Sequence, residues 1–109
     1  MSGKPVFRRA LAVRDVEEVV GRYLDEQAWA AAEGFIAAAA QAYAHIGRHP
    51  SAGSARHAQE SGIPGLRSWP IKRYGHLVLY VEHADIVEVW RVLHPARDIP
   101  ARLLAGDQP

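Results

Sequence analysis

The sequence contains no cysteine. This absence excludes disulfide bonds, thiol nucleophiles and cysteine-based zinc sites, and it agrees with a reducing compartment. Long apolar runs are also missing, since no stretch approaches the roughly 20 residues that a membrane-spanning helix needs. The first residues, MSGKPVFRR, lack the apolar stretch of a signal peptide. We therefore expect a cytoplasmic protein with no membrane partner.

A strong charge of either sign is absent too. Lys and Arg total 13 and Asp and Glu total 12, so the formal net charge is +1. A protein that binds nucleic acid by neutralising phosphates has a larger excess of basic residues. Acids nevertheless predominate in residues 15–33 and bases in residues 48–73. This pattern predicts an acidic helical side and a more basic side, although charge runs also serve solubility alone.

No motif of a familiar enzyme class is present. The sequence has no glycine-rich phosphate loop, no nucleophile elbow and no paired-carboxylate arrangement. His45 and His49 have the spacing of two metal ligands on one helix face. However, no Glu follows His45 directly, and a third ligand such as His57 would have to meet them by chance. We therefore expect neither a metal nor a cofactor.

Two strand-like runs dominate the C-terminal half. Residues 76–82 (HLVLYVE) and 86–94 (IVEVWRVLH) are rich in β-branched and aromatic residues, and their close spacing predicts a β-hairpin. Residues 66–72 predict a third antiparallel strand, in which Pro70 limits the edge that can donate hydrogen bonds. Apolar side chains on both faces indicate a sheet that is covered twice. One cover must come from earlier residues, and the other from the C-terminal segment or a partner.

Two helices are predicted before this sheet. Apolar residues recur at helical spacing over residues 12–27 and again over residues 28–47. The first helix begins either near Ala10 or at Asp15, where a capping box with Glu18 is possible. Joined by a short turn, the two helices form an antiparallel hairpin whose apolar stripe can cover one face of the sheet.

The remaining segments complete a single domain, residues 1–109, of the α+β class. Residues 4–9 predict a short strand that joins the meander, residues 49–65 predict a long irregular connection, and residues 96–104 predict one short helical turn. The expected architecture is an N-terminal strand and an antiparallel helical hairpin packed on a small antiparallel sheet. Its order is β-α-α-β-β-β.

Basic and imidazole side chains collect in the meander and at its exit. They are Arg67, Lys72, Arg73, Arg91, His94 and Arg97. Such a set could form a metal-independent nuclease site, in which arginines hold a phosphate while His94 exchanges protons near neutral pH. The same residues could instead stabilise the fold, with Arg91 paired to Glu88 or Asp98. We favour this structural interpretation, because a sheet-edge arginine is more often an ion-pair partner than a catalyst.

Several motifs resemble a known family. They are Gly65-Leu66-Arg67-Ser68, Arg73-Tyr74, Tyr80 and the run VWRVLHPARDI from Val89 to Ile99. With the order of strand, helical hairpin, long loop and meander, they resemble the ParE/RelE superfamily of bacterial type II toxin-antitoxin toxins. The ParE branch fits best. The resemblance covers nearly the whole chain, and the last run is its most specific part.

The resemblance implies a toxin that inhibits DNA gyrase by binding and is neutralised by a cognate antitoxin. The antitoxin would supply the missing apolar cover, as a helix in a groove or as an added strand. Contact with DNA would come only indirectly, through the antitoxin. The partner-binding residues suggested on this basis are Arg67, Trp69, Lys72, Arg73, Trp90, Arg97 and Arg102.

Two alternatives stay open. RelE-like members of the superfamily cut messenger RNA on the ribosome, and an enzyme of that kind would use Arg73, Arg91, His94 and Arg97. This chain departs from the nuclease pattern, because no Tyr follows Arg91. We therefore expect a protein that is not an enzyme and assign no catalytic residue. The second alternative is a diverged, non-toxic member that acts with its antitoxin as a co-repressor.

Overall fold

The computed structural model describes residues 3–96 and 99–106. Its elements, in chain order, are β1 (Val6–Arg8), α1 (Ala10–Asp25), α2 (Trp29–Arg48), a 3-10 turn (Pro50–Ala52), α3 (Ala58–Ser61), β2 (Leu66–Pro70), β3 (Leu77–Glu82), β4 (Val87–Leu93) and α4 (Ile99–Gly106). The predicted α+β class and its β-α-α-β-β-β order are confirmed. Within the described ranges, no helix is long and apolar enough to cross a bilayer.

The four strands form one sheet in the order β1-β4-β3-β2. Strands β2, β3 and β4 are antiparallel, as predicted, and β2 is an edge strand that tolerates Pro70. β1 lies parallel to β4, so the sheet is not wholly antiparallel. Parallel strands need a long connection between them, and here it contains the helical hairpin as well as β2 and β3.

The first helix begins at Ala10, the earlier of the two predicted starts. Asp15 therefore does not cap the helix but lies inside it, buried against β4. Along α2, Phe35 and Ile46 are fully buried, whereas Trp29 and Ile36 are 60% and 52% exposed. The helical hairpin thus has an apolar inner face and keeps further apolar side chains on its outer surface.

Both faces of the sheet are covered, as the sequence predicted. On one face, strand residues such as Val78 and Tyr80 pack with Phe35 and Ile46 of α2. On the other face, a smaller cluster joins strands to the C-terminal segment; its buried members are Leu66, Leu79, Leu93, Ile99 and Leu103. The sequence left open whether the C-terminal segment or a partner covers the second face. In the structure, α4 of the C-terminal segment supplies cover there.

The connection between α2 and β2 is anchored by the hydroxyl of Tyr80. This hydroxyl donates to the Pro50 carbonyl at 2.7 Å and accepts from the Gly53 N–H at 3.0 Å. Gly53 must be a glycine, because a Cβ there would overlap the Tyr80 hydroxyl and lie 2.8 Å from the Ser68 carbonyl. The connection is thus more ordered than its composition predicts, and it contains the 3-10 turn and α3.

Candidate partner-binding groove

A groove runs along the exposed side of α2, between that helix and the segment from β2 to β3. Its first section, of about 430 Å³, is lined by Ala38, Gln41, Ala42, Ala44, His45, Arg48, Trp69, Pro70 and Lys72. Its second section, of about 330 Å³, is lined by Gly34, Ala37, Ala38, Gln41, Lys72, Arg73 and Tyr74. The sections share Ala38, Gln41 and Lys72 and therefore form one surface, which we call the α2 groove.

Trp69 forms one wall of the groove and is held by stacking. Its indole lies on the His45 imidazole with ring centroids 4.1 Å apart and an angle of 16° between the planes. His49 lies beyond, with its ring centroid 5.2 Å from that of His45. The Nε2 atom of His45 is buried and has no hydrogen-bond partner in the described structure. Trp69 is therefore fixed in orientation while half-buried.

Lys72 and Arg73 lie on the turn between β2 and β3, and both are exposed. Arg73 has a φ of 78°, in the left-handed region that residues other than glycine seldom adopt. The next residue, Tyr74, donates from its hydroxyl to the Ala31 carbonyl at 3.3 Å. Gly34 leaves room for this hydroxyl, which a Cβ would overlap. The turn is thus attached to α2 and presents two cations at the groove.

Arg91 belongs to a buried ion pair away from the groove. Its Nε and Nη2 donate to Asp15 at 2.7 and 2.8 Å, and its Nη1 donates to the Arg102 carbonyl at 3.0 Å. The structural interpretation of Arg91 thus agrees with the structure, but the suggested pairing with Glu88 is wrong. Asp15 is distant in sequence, so local spacing could not identify it. Asp98, the other suggested partner, lies outside the described residues.

His94 and Arg102 line a separate, small cavity of about 50 Å³. His94 is exposed, its Nδ1 accepts from the Ala96 N–H at 3.1 Å, and its ring meets that of His76 edge-on at 5.2 Å. The Nε atom of Arg102 is buried without a partner in the part of the chain described. Arg97 lies outside the described residues.

Arg67 and Trp90 are engaged within the fold rather than in the groove. Nη1 of Arg67 donates to the Gly53 carbonyl at 2.8 Å. The guanidinium of Arg9 lies 3.6 Å from the centroid of the Trp90 ring and covers it. Of the partner-binding residues suggested from the sequence, the groove thus unites Trp69, Lys72 and Arg73.

The contribution of α2 to this groove was not predicted from the sequence. Gln41, His45 and Arg48 all line it, and they follow one another at spacings of four and three residues. This spacing places them on one face of a helix. A polar stripe opposite the buried stripe was therefore visible in the sequence, but its position beside Trp69 depends on tertiary packing.

A second surface, on the outer side of the helical hairpin, was also missed. It is an apolar groove of about 190 Å³ between α1 and α2, lined by Arg8, Val13, Val16, Glu17, Ile36, Ala39, Ala40 and Tyr43. Burial raises the pKa of the Tyr43 hydroxyl above its usual 10.0, against the opposing charge of Arg8. The neighbouring Phe7 on β1 is 55% exposed, and β1 is an edge strand. We call this surface the hairpin groove.

The architecture has a solved counterpart. A structure titled "Chromosomal ParDE TA system from P. aeruginosa" matches with a TM-score of 0.69 at 13% sequence identity, covering 84% of this chain and 95% of that chain. A search of curated protein sequences gave no significant match. The two proteins thus share a small α+β fold, in which a helical hairpin covers the sheet.

The family follows from the sequence profile. The profile described as "ParE toxin of type II toxin-antitoxin system, parDE" matches residues 6–99. The chain belongs to the ParE toxin family, which confirms the resemblance drawn from its motifs. The findings therefore support a toxin of a type II toxin-antitoxin system.

Proposed function

We propose that this protein is a cytoplasmic toxin that inhibits DNA gyrase by binding, without chemistry of its own. The observation that carries the proposal is the burial of Arg91, one of the nuclease candidates. Its side chain is only 10% exposed, and Asp15 neutralises its charge. An arginine that stabilises a phosphate during cleavage must direct its donors at that phosphate.

Two further nuclease candidates, Arg73 and His94, lie on different surfaces, which also favours action by binding. Arg73 lines the α2 groove, whereas His94 lines the small cavity beside α4. General acid-base catalysis requires the proton-transferring group and the phosphate-holding group to meet at one reacting centre. The α2 groove, by contrast, combines a fixed aromatic wall with exposed cations, a composition suited to protein binding.

The hairpin groove supports a second part of the proposal, the site of the antitoxin. An apolar groove between two helices is a surface that takes the apolar face of a third helix. The adjoining edge of β1 offers backbone groups to an added strand. We assign the antitoxin segment to this surface, because Ile36 is exposed there as a large apolar side chain and the edge of β1 adjoins it.

The test uses the purified protein, free of antitoxin, in two parallel assays. One measures supercoiling of plasmid DNA by gyrase, and the other measures cleavage of messenger RNA on translating ribosomes. Inhibited supercoiling with intact RNA is the expected result. Cut RNA with normal supercoiling would replace this proposal with the ribosome-dependent nuclease. No effect in either assay, with operator binding only alongside the antitoxin, would instead identify a co-repressor.

A further inference from the structure

We infer that the α2 groove binds an acidic, amphipathic segment of the protein target. The inference rests on the proposed function as a toxin that acts by binding, and it specifies the chemistry of the contact. Its first support is charge. Arg48, Lys72 and Arg73 line the groove, and none of the lining residues in either section is acidic.

These three cations are available to a partner. Within residues 3–96 and 99–106, none of their side chains takes part in an ion pair or a hydrogen bond. Other basic residues are engaged: Lys4 with Glu82, Arg9 with Glu88 and Arg67 with the Gly53 carbonyl. An arriving carboxylate can therefore pair with a groove cation without first breaking an internal ion pair.

The floor of the groove suits a close-packed apolar face. Ala37, Ala38 and Ala44 contribute only methyl groups, and Gly34 contributes none. From Gly34 to Arg48 the helix axis extends about 21 Å, which is enough for roughly four turns of a partner helix. Small side chains allow a second backbone to approach closely, so an apolar stripe on that partner can be buried against the alanines.

Two aromatic side chains complete the surface. Trp69 is held by its stack on His45, and Tyr74 is held by its bond to the Ala31 carbonyl. Aromatic residues that are already fixed lose little conformational entropy on binding, and Trp and Tyr often contribute much of the binding energy of an interface. An apolar floor, aromatic walls and basic rims together match an acidic amphipathic segment.

The α2 groove is distinct from the surface assigned to the antitoxin. The hairpin groove shares none of its lining residues, and it contains Glu17 beside Arg8. A nucleic-acid strand fits the α2 groove less well, because three cations neutralise few phosphates. The two grooves therefore call for partners of different chemistry.

The test reverses the charge at the groove and compares it with the same reversal elsewhere. The groove variant is Lys72→Glu with Arg73→Glu, and the matched control is Arg14→Glu with Arg56→Glu, two exposed residues outside both grooves. Binding of each full-length protein to the purified gyrase subunits is measured at several salt concentrations, together with inhibition of supercoiling. Thermal unfolding verifies that both variants are folded.

We expect the groove variant to bind gyrase at least about tenfold more weakly, and the control to stay within about twofold of the unaltered protein. Equal binding by the groove variant would overturn the inference while leaving gyrase inhibition intact. If the unaltered protein neither binds gyrase nor inhibits supercoiling, the proposed function fails, and a peptide experiment then decides the inference separately.

That experiment adds a synthetic amphipathic helical peptide, with Leu along one face and Glu along the flanking faces, and separately a single-stranded oligonucleotide, to isotope-labelled protein. Shifts of the Trp69 indole and of the backbone amides at Lys72 and Arg73 with the peptide alone support the inference. Shifts with the oligonucleotide alone, or with neither probe, overturn it. The same peptide in which Lys replaces Glu is the control, and it should leave these signals unchanged.

Discussion

At the scale of single residues, the pair Asp15 and Arg91 gives Arg91 a structural role inside the fold. β1 ends at Arg8. Beyond Val89, the edge of β4 that faces β1 therefore has no strand partner in the described sheet. The Asp15 carboxylate takes that place and accepts from the Val92 N–H at 2.9 Å. Buried ion pairs are costly to break, because removal of one charge leaves the other without a partner in a dry environment.

We predict that Asp15→Ala and Arg91→Met each lower the free energy of unfolding by about 3 to 5 kcal/mol. The double variant Asp15→Ala with Arg91→Met should lose less than the two separate effects together, since no charge is then left unpaired. Urea unfolding measures these values. The exposed Asp25→Ala is the control and should change stability by less than about 0.5 kcal/mol. Additive losses would contradict the structural role of the pair.

Glu88 gives a prediction for the dependence of stability on pH. Burial acts to raise its pKa, but hydrogen bonds from Arg9 and His83 outweigh burial, and the pKa lies below its usual 4.5. As the pH falls, Glu88 therefore takes up a proton at a higher pH in the unfolded chain than in the folded chain. The stability that Glu88 contributes is present above pH 4.5 and is lost as the pH falls through its folded-state pKa.

The variant Glu88→Gln should accordingly be less stable than the unaltered protein above pH 4.5, and this difference should shrink as the pH falls below that value. Unfolding in urea at a series of pH values measures it. Glu33→Gln, at an exposed position on α2, is the control and should follow the unaltered protein throughout. A difference that grows towards acid pH would show that the sign of the argument is wrong.

At the scale of elements, the two helices of the hairpin use glycine differently. A Cβ at Gly21 of α1 would meet nothing within 4 Å, whereas a Cβ at Gly34 of α2 would overlap the Tyr74 hydroxyl. Glycine inside a helix costs roughly 0.5 to 1 kcal/mol relative to alanine. Gly21 therefore only lowers the stability of α1. Gly34 also lowers the stability of α2, but it allows the β2–β3 turn to attach to the helix.

We predict that Gly21→Ala raises the free energy of unfolding by about 0.5 to 1 kcal/mol. Gly34→Ala should give a smaller gain or a loss, because Tyr74 must move away from the Ala31 carbonyl. The Tyr74→Phe variant lacks the obstructing hydroxyl. In that variant, Gly34→Ala should raise the free energy of unfolding by more than it does in the unaltered protein. Thermal or urea unfolding of the four proteins decides this, and equal gains at both glycines would exclude the proposed contact.

At the scale of the whole molecule, the helical hairpin separates two surfaces of different chemistry. The hairpin groove is apolar and borders the open edge of β1, whereas the α2 groove is rimmed by cations. The α2 groove agrees with the uneven charge distribution along the sequence, in which bases predominate in residues 48–73. One exposed helical hairpin can thus serve an antitoxin on one side and a target on the other.

We predict that Ile36→Glu weakens binding of the cognate antitoxin at least about tenfold, because it places a charge in the apolar floor of the hairpin groove. Ile36 is 52% exposed, so the fold should change little in stability. Calorimetric titration with the antitoxin measures the affinity, and Ala30→Glu, exposed on the same helix outside the groove, is the control. Unchanged affinity would place the antitoxin on another surface.

Much of the architecture could be predicted from local pattern. The helices follow from apolar residues recurring every three or four positions, and the meander follows from three β-rich runs separated by short breaks. Each of these signals lies within a few neighbouring residues, as does the VWRVLHPARDI run that indicates the family. The sequence also indicated the double cover of the sheet, since strands with two apolar faces need a layer on each.

Contacts between distant residues were decided only by the tertiary structure. Asp15 meets Arg91, and Trp69 stacks on His45, because the helical hairpin folds back over strands that lie far along the chain. The parallel pairing of β1 with β4 and the assembly of the α2 groove have the same origin. Periodicity reports which face of an element is buried, but not which element lies opposite. Which elements pack against each other is set by the packing of the whole chain around its two apolar clusters.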